Sequence, residues 1–279
     1  MGPAEAVAIL GAGGAAGAVN AVVGSGSLIT FPTLLAFGFP PVVANVSNNV
    51  GLVSGNISGA VGYRRELAGQ RTRLIRLGII AAGGSVAGAA ALLSLPSSSF
   101  QVIVPVLILI ACVLVLIQPW LSKRVADRRK QRAAGDDAAG PAGTAGMAGT
   151  AGMAGTAGPG VERAGLVLGA GVFASAAYGG YFGAAQGVLL IGLLGTFLDE
   201  SLQRVNGAKN VLVAVVNGTA ALVYVIFAHV AWLAVLLIAV GSTLGGLLGA
   251  RYGRRLPPLA LRIFVVLIGV ISAVKLIFF

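Results

Sequence analysis

Asn45, Asn48, Asn49 and Asn56 stand in a stretch that is otherwise small and apolar, and an answering stretch follows 161 positions later. Residues 45 to 56 read Asn-Val-Ser-Asn-Asn-Val-Gly-Leu-Val-Ser-Gly-Asn; residues 206 to 217 read Asn-Gly-Ala-Lys-Asn-Val-Leu-Val-Ala-Val-Val-Asn. Laid together without a gap, Asn45, Asn49 and Asn56 fall on Asn206, Asn210 and Asn217, and Asn48 falls on Lys209. Offsets of four and seven residues keep the three asparagines on one stripe of an α-helix. Amides and one ammonium with no acid beside them suit the oxygens of a small anion. Lys209 would supply the charge, and Asn45, Asn48, Asn49, Asn206 and Asn210 would donate hydrogen bonds. An ammonium inside an apolar segment is a functional candidate, because burial is costly until something negative meets it. Two plainer readings stand beside this one. Lys209 could snorkel to the membrane surface, and asparagines glue membrane helices through hydrogen bonds of about 1 kcal/mol each.

The remaining polar residues narrow the chemistry. Glu5, Glu66, Asp127, Asp136, Asp137, Glu162, Asp199 and Glu200 all fall at segment ends or between segments. No carboxylate lies mid-segment, which argues against a metal or Na⁺ site built on Asp and Glu. One His, one Cys and no paired carboxylates leave no catalytic triad, acid/base pair or metal cluster, so neither an enzyme nor a cofactor is expected. Cys112 reads as a core side chain and His229 as a solvent-facing loop residue. Tyr63 and Tyr224, also 161 apart, read as interface anchors, and Trp120 and Trp232 as belt residues.

These residues sit in a chain of 279 residues, 57% hydrophobic and 10% charged, with mean hydropathy +0.95. Soluble domains carry about 25% charged residues, so the expectation is an all-α integral membrane protein crossing the bilayer several times. Apolar runs cover 5 to 37, 42 to 62, 74 to 94, 100 to 121, 164 to 198, 205 to 227, 231 to 250 and 259 to 278, eight segments in all. None shows the alternation of a membrane barrel. The start, Met-Gly-Pro-Ala-Glu, lacks the basic residues of a signal peptide, so the first helix should be retained. The net charge of +11 gathers between segments, at Arg64 to Arg76, Lys123 to Arg132 and Arg251 to Arg255. That placement marks a cytoplasmic side and contact with acidic lipid heads rather than nucleic acid.

Two of the runs are too long for one span. The first, about 33 residues, would reach roughly 50 Å as a straight helix. It should break at Gly24-Ser25-Gly26-Ser27, and the fifth should break between Tyr178 and Gly187, where Gly187 aligns with Gly26 at the same offset. Matching broken helices point to a transporter binding site, since freed N–H groups at half-helix starts attract anions. Gly24, Ser25, Gly26, Ser27, Gln186 and Gly187 therefore join the candidate site. Small residues four apart, Gly13/Gly17, Gly55/Gly59, Gly84/Gly88 and Gly241/Gly245/Gly249, read instead as close helix packing.

The chain then divides into a first membrane repeat at 1 to 121, a basic and then Ala/Gly/Thr-rich disordered cytoplasmic linker at 122 to 162, and a second repeat at 163 to 279. Basic and neutral loops alternate in opposite order in the two repeats. If basic loops are cytoplasmic, corresponding loops lie on opposite sides, the halves are inverted, each half crosses an odd number of times, and both termini lie outside. Each broken first segment would either re-enter or cross as two pieces.

The Gly-rich break Val23 to Pro32, the turn Pro40-Pro41-Val42-Val43-Ala44-Asn45, and Asn206-x-x-Lys209-Asn210 with Asn217 resemble the TauE/SafE family of sulfite-exporter-like permeases. The resemblance spans the chain outside 122 to 162. It implies secondary transport of small anions, notably sulfite and organosulfonates, at the plasma membrane. Two positions depart from the family pattern: Ala184-Ala185-Gln186-Gly187 stands where several glycines are usual, and Leu193 where the first half has Pro32. The expected function is a secondary transporter of small oxyanions working by alternating access. A passive anion channel and a non-transporting membrane assembly or binding partner are the alternatives.

Overall fold

Proline opens α1 (Pro3–Val22), α3 (Pro41–Gly62), α6 (Pro159–Tyr181) and α10 (Pro258–Phe278), where the missing N–H is one that a first turn leaves unused. The others are α2 (Ser27–Ala36), α4 (Arg71–Ser94), α5 (Ser97–Ala138), α7 (Gln186–Phe197), α8 (Leu202–Phe227) and α9 (Trp232–Tyr252). The structure, a computed structural model, describes residues 1–138, 159–198, 200–252 and 258–278, and among these it is helical with no strand. The expected eight segments become ten helices because both long runs break. α1 stops where Gly24 turns to φ +84, and α6 stops before Gly183 at φ +77 and Ala185 at φ +58. Gly24 and Ala185 are 161 apart, so the second half asks an alanine to hold the left-handed conformation that the first gives to glycine. The pieces after each break have 10 and 12 residues, about 15 and 18 Å, too short for a hydrocarbon core of about 30 Å.

Among the described residues, five helices are long and apolar enough to cross a membrane: α1, α4, Val102–Trp120 of α5, α8 and α9. The outward side chains of these and neighbouring helices are those of a lipid-facing surface, with Ile57, Ile79, Val102, Leu222, Ile226 and Leu236 all exposed. The chain is a multi-pass membrane protein.

Element starts keep the offset. α3, α4 and α5 begin at 41, 71 and 97; α8, α9 and α10 begin at 202, 232 and 258, each 161 later. Packing respects it too. α1 lies against α9 and α6 against α4; α3 lies against α9 and α8 against α4; α3 meets α8 and α5 meets α10. Exchanging the halves returns the same pairings. The small-residue pairs lie in these seams, Gly13 and Gly17 against Ile238 and Ser242, Gly84 and Gly88 against Phe173 and Ala177, as close packing requires.

Contact register gives direction. Leu10, Gly14 and Ala18 meet Gly241, Gly245 and Gly249 in order, and Ser54 and Ser58 donate to the carbonyls of Ala239 and Thr243 at 3.1 and 3.0 Å. α1, α3 and α9 therefore run the same way. α3 and α8 run oppositely: Asn49 meets Asn217 around the middle of both helices, while Tyr63 at the end of α3 meets Asn206 near the start of α8. α2 turns back along α1, with Gly26 against Ala16, and reaches Asn48 of α3 through Thr30. The interior between them is aromatic, Phe31 meeting Phe182 edge-on at 5.3 Å between ring centroids.

Two expectations change. α5 continues to Ala138, so Asp127, Asp136 and Asp137 lie on a helix and the first part of the expected linker is helical; 139–158 lies outside the described residues. Tyr63 and Tyr224 are buried rather than interfacial, because the interior holds acceptors and donors for their hydroxyls. Trp120, Trp232 and His229 are exposed and Cys112 is buried, as expected.

Candidate functional site

Lys209 is fully buried, at 0% exposure, in α8. Its Nζ donates to the carbonyls of Asn20 at 3.0 Å and Ala21 at 3.4 Å, the last turn of α1 before the break. Asn210 Nδ2 donates to Ala21 O at 3.2 Å, and Asn206 Nδ2 donates to the same oxygen at 3.3 Å and to the Tyr63 hydroxyl at 2.8 Å. The three α8 residues stand at spacings of three, one and four, so one helical face presents all three donors. They meet the carbonyls that the break in α1 strips of helical partners, where the helix dipole leaves partial negative charge. No carboxylate lies within ion-pair distance of Lys209 among the described residues.

Asn20 ties this point to its surroundings. Its side-chain amide donates to Asn56 Oδ1, and its Oδ1 accepts from the Gly26 N–H at 3.4 Å, just before α2 begins. Around the same break, Ser25 Oγ, Asn56 Nδ2 and Asn206 Oδ1 are buried without a hydrogen-bond partner among the described residues. Sequence reading missed Asn20 and the burial of Tyr63. A lone Asn in the last turn of an apolar helix, 161 residues before Tyr181, was the available signal.

A second, neutral cluster repeats the plan at the other break. Asn45 Nδ2 donates to Tyr181 O at 2.9 Å, and Tyr224 donates through its hydroxyl to Gly180 O, both in the last turn of α6. Thr30 donates to Asn48 Oδ1, and Asn49 Nδ2 donates to Asn217 Oδ1 at 3.5 Å. The Gln186 amide, 1% exposed, leaves both polar atoms without a partner among the described residues. Replacing Tyr224 by Phe strands the Gly180 carbonyl in the interior. The expected loss is about 1–3 kcal/mol of stability, read as a lower unfolding midpoint in detergent.

The sequence expected Asn45, Asn48, Asn206 and Lys209 to form one site, and the structure divides them. Asn206 lies against Tyr63 at one end of α3, while Asn45 lies 18 residues earlier on that helix, about 27 Å along its axis. Because α3 and α8 run oppositely, equivalent stripes place equivalent residues at opposite ends. The two breaks touch each other directly. Gly187 N–H donates to Gly24 O at 3.2 Å, and an added Cβ on Gly24 would come 2.6 Å from Gly187 Cα. Gly24, Ser25, Gly26 and Ser27 thus border the Lys209 cluster, and Gln186 and Gly187 lead to the other.

An ion cluster stands at the start of α8. Glu200 accepts from Arg73 Nη1 at 3.0 Å and Arg204 Nε at 2.5 Å, while Arg204 Nη2 donates to Ala68 O at 3.0 Å. Burial pushes the Glu200 carboxyl up, and the hydrogen bonds and charges of the two guanidinium groups outweigh it, leaving the carboxyl below its ordinary value. A depressed carboxylate stabilises fully above the ordinary range of about 4.3 and loses that contribution as pH falls through its lower folded value. Wild type should therefore unfold about 2 °C above Glu200→Gln at pH 7, the pair being partly exposed. The gap should close as pH drops below about 4, as thermal scans across pH would report.

A family model described as sulfite exporter TauE/SafE matches residues 9–276. The chain belongs to the TauE/SafE family. This TauE/SafE chain is 23% identical over 264 residues to the probable membrane transporter protein YfcA of Escherichia coli strain K12, covering 94% of this chain and 86% of the relative. The same figures hold for the YfcA proteins of the O6:H1 and O157:H7 strains. No solved structure matches. A membrane transporter family accounts for broken helices and buried donors among apolar spans.

Proposed function

We propose that this TauE/SafE protein is a secondary transporter of small anions of the sulfite or sulfonate type, working by alternating access between inverted halves. The observation that carries the reading is Lys209. It is a buried ammonium met by carbonyl oxygens, with no carboxylate at ion-pair distance among the described residues. A bound oxyanion would take over as its partner, with charge-assisted hydrogen bonds stronger than those to neutral oxygens. Asn206 and Asn210 already donate to Ala21 O, so the end of α1 keeps partners while the ammonium turns to substrate. Ser25 Oγ, buried without a partner among the described residues, offers a further donor beside Asn20.

Inversion is supported by the opposite run of α3 and α8 and by pairings unchanged on exchanging the halves. The cluster of Asn45, Asn48 and Asn49 with Gln186 and Gly187 is then a neutral counterpart that guides the anion on the other side. Of these two clusters, only that of Lys209 holds a charged side chain among the described residues, so it is the binding cluster. The touching backbones of Gly24 and Gly187 form the pivot between them.

A second reading has its own observation: three α8 donors converge on the last carbonyls of α1, which is also what a purely structural helix cap would do. Purified protein in liposomes separates them. Saturable sulfite flux that responds to an imposed pH or Na⁺ gradient supports a coupled carrier; flux indifferent to both marks a passive channel, and no flux with any of sulfite, sulfate, thiosulfate, sulfoacetate or simple carboxylates sinks the transport reading.

A further inference from the structure

Where α3 ends, Arg64, Arg65 and Glu66 turn beside Arg251 of α9 to line a cavity of about 760 Å³ with an apolar floor of Val61 and Leu247. All three arginines are exposed, and none has a carboxylate within ion-pair distance among the described residues. The cavity does not stand alone. Val61 and Arg64 also line an apolar groove of about 430 Å³ between α3 and α8, and Leu67, Val211 and Val215 carry that groove into another of about 530 Å³ beside α4. On α4 this second groove runs from Arg71 to Ala82, about 16 Å along the helix, close to half of a hydrocarbon core of about 30 Å.

We propose that this continuous surface binds one anionic phospholipid of the cytoplasmic leaflet, its phosphoryl headgroup on Arg64, Arg65 and Arg251 and its acyl chains along α3, α8 and α4. Planar guanidinium groups match phosphate oxygens two at a time. The apolar grooves select a lipid over a free ion, since they begin at the arginines and end at one leaflet's depth. Exposed Ile57, Ile75 and Ile79 border the path. With Glu66 also in the lining, three arginines to one carboxylate leave it positive.

Detergent-purified protein supplies the test. Phosphatidylglycerol should raise the unfolding midpoint by about 3 °C or more while phosphatidylcholine does not, and native mass spectrometry of wild type should retain one phosphatidylglycerol in preference to phosphatidylcholine. The Arg64→Gln/Arg65→Gln/Arg251→Gln variant should bind it on the order of 100-fold more weakly, and the corresponding Lys variant should keep most of the preference. Equal retention of the two lipids by wild type overturns the site even where the triple variant does not fold. An unchanged preference in the Gln variant overturns it too. A midpoint shift reproduced in full by inorganic phosphate or glycerol phosphate would show a free-anion site and reject the lipid.

Discussion

Replacing Lys209 by methionine is expected to reduce sulfite flux in liposomes by on the order of 100-fold while leaving the protein folded. The size follows from taking one member from a desolvated charged contact, about 2–5 kcal/mol, in a step that needs the anion bound. Stability moves little because two effects oppose. The Asn20 carbonyl loses a donor it receives at 3.0 Å, worth about 1–3 kcal/mol, and the interior no longer holds an ammonium whose burial costs several kcal/mol. Ala21 O keeps Asn206 and Asn210. A cap role alone forecasts the reverse pattern, a lowered midpoint with residual flux in proportion to folded protein. Measuring flux and midpoint on one preparation separates the two, and wild-type flux in the methionine variant would remove Lys209 from the site altogether.

Gly24→Ala is expected to be strongly destabilising, because it combines a left-handed backbone with a backbone clash. Gly24 holds φ +84, where an L side chain costs about 1–2 kcal/mol. Its new Cβ would lie 2.6 Å from Gly187 Cα and 3.0 Å from Gly187 C, backbone atoms that cannot rotate aside. Overpacking of that kind adds about 1–3 kcal/mol, so the midpoint should fall by about 6–12 °C and flux should drop with it. Gly187→Ala meets Gly24 Cα at 2.5 Å without the positive φ, so it should cost less. The double variant should cost less than the two added, because separating the backbones once relieves both. Full additivity in calorimetry would mean that the two strands of the break do not share one contact.

Much of this architecture was legible because it is periodic. The offset of 161 that aligns Asn45 with Asn206 also aligns the starts of α3 and α8, α4 and α9, and α5 and α10. Length against membrane thickness located the breaks, since a helix near 50 Å must stop somewhere and Gly24 and Gly183 are where it can. The site was half legible. Residue type picked out Lys209, Asn206 and Asn210, which do converge, but the stripe could not say that α3 and α8 cross in opposite senses, and so it places Asn45 beside Asn206, from which it lies about 27 Å along α3. Nor could it say what the donors face. Stranded carbonyls at the end of a broken helix come into being only when the chain folds, which is also why Tyr63 and Tyr224, plausible at an interface, turn inward to Asn206 and Gly180.

The seam between α1 and α9 has a consequence for how the molecule is made. Gly13 and Gly17 need the backbone of Ile238 and Ser242, yet a ribosome reaches those residues only after roughly 220 more have been added, about 10–40 s at usual elongation rates. For that interval the first helix rests in lipid with its glycine face uncovered, and the buried partner of its last carbonyls, Lys209, arrives on α8 shortly before the seam closes. Each half finds its main helix seams in the other, α4 on α6 first and α1 on α9 later, so the first half is covered in steps as the second is made.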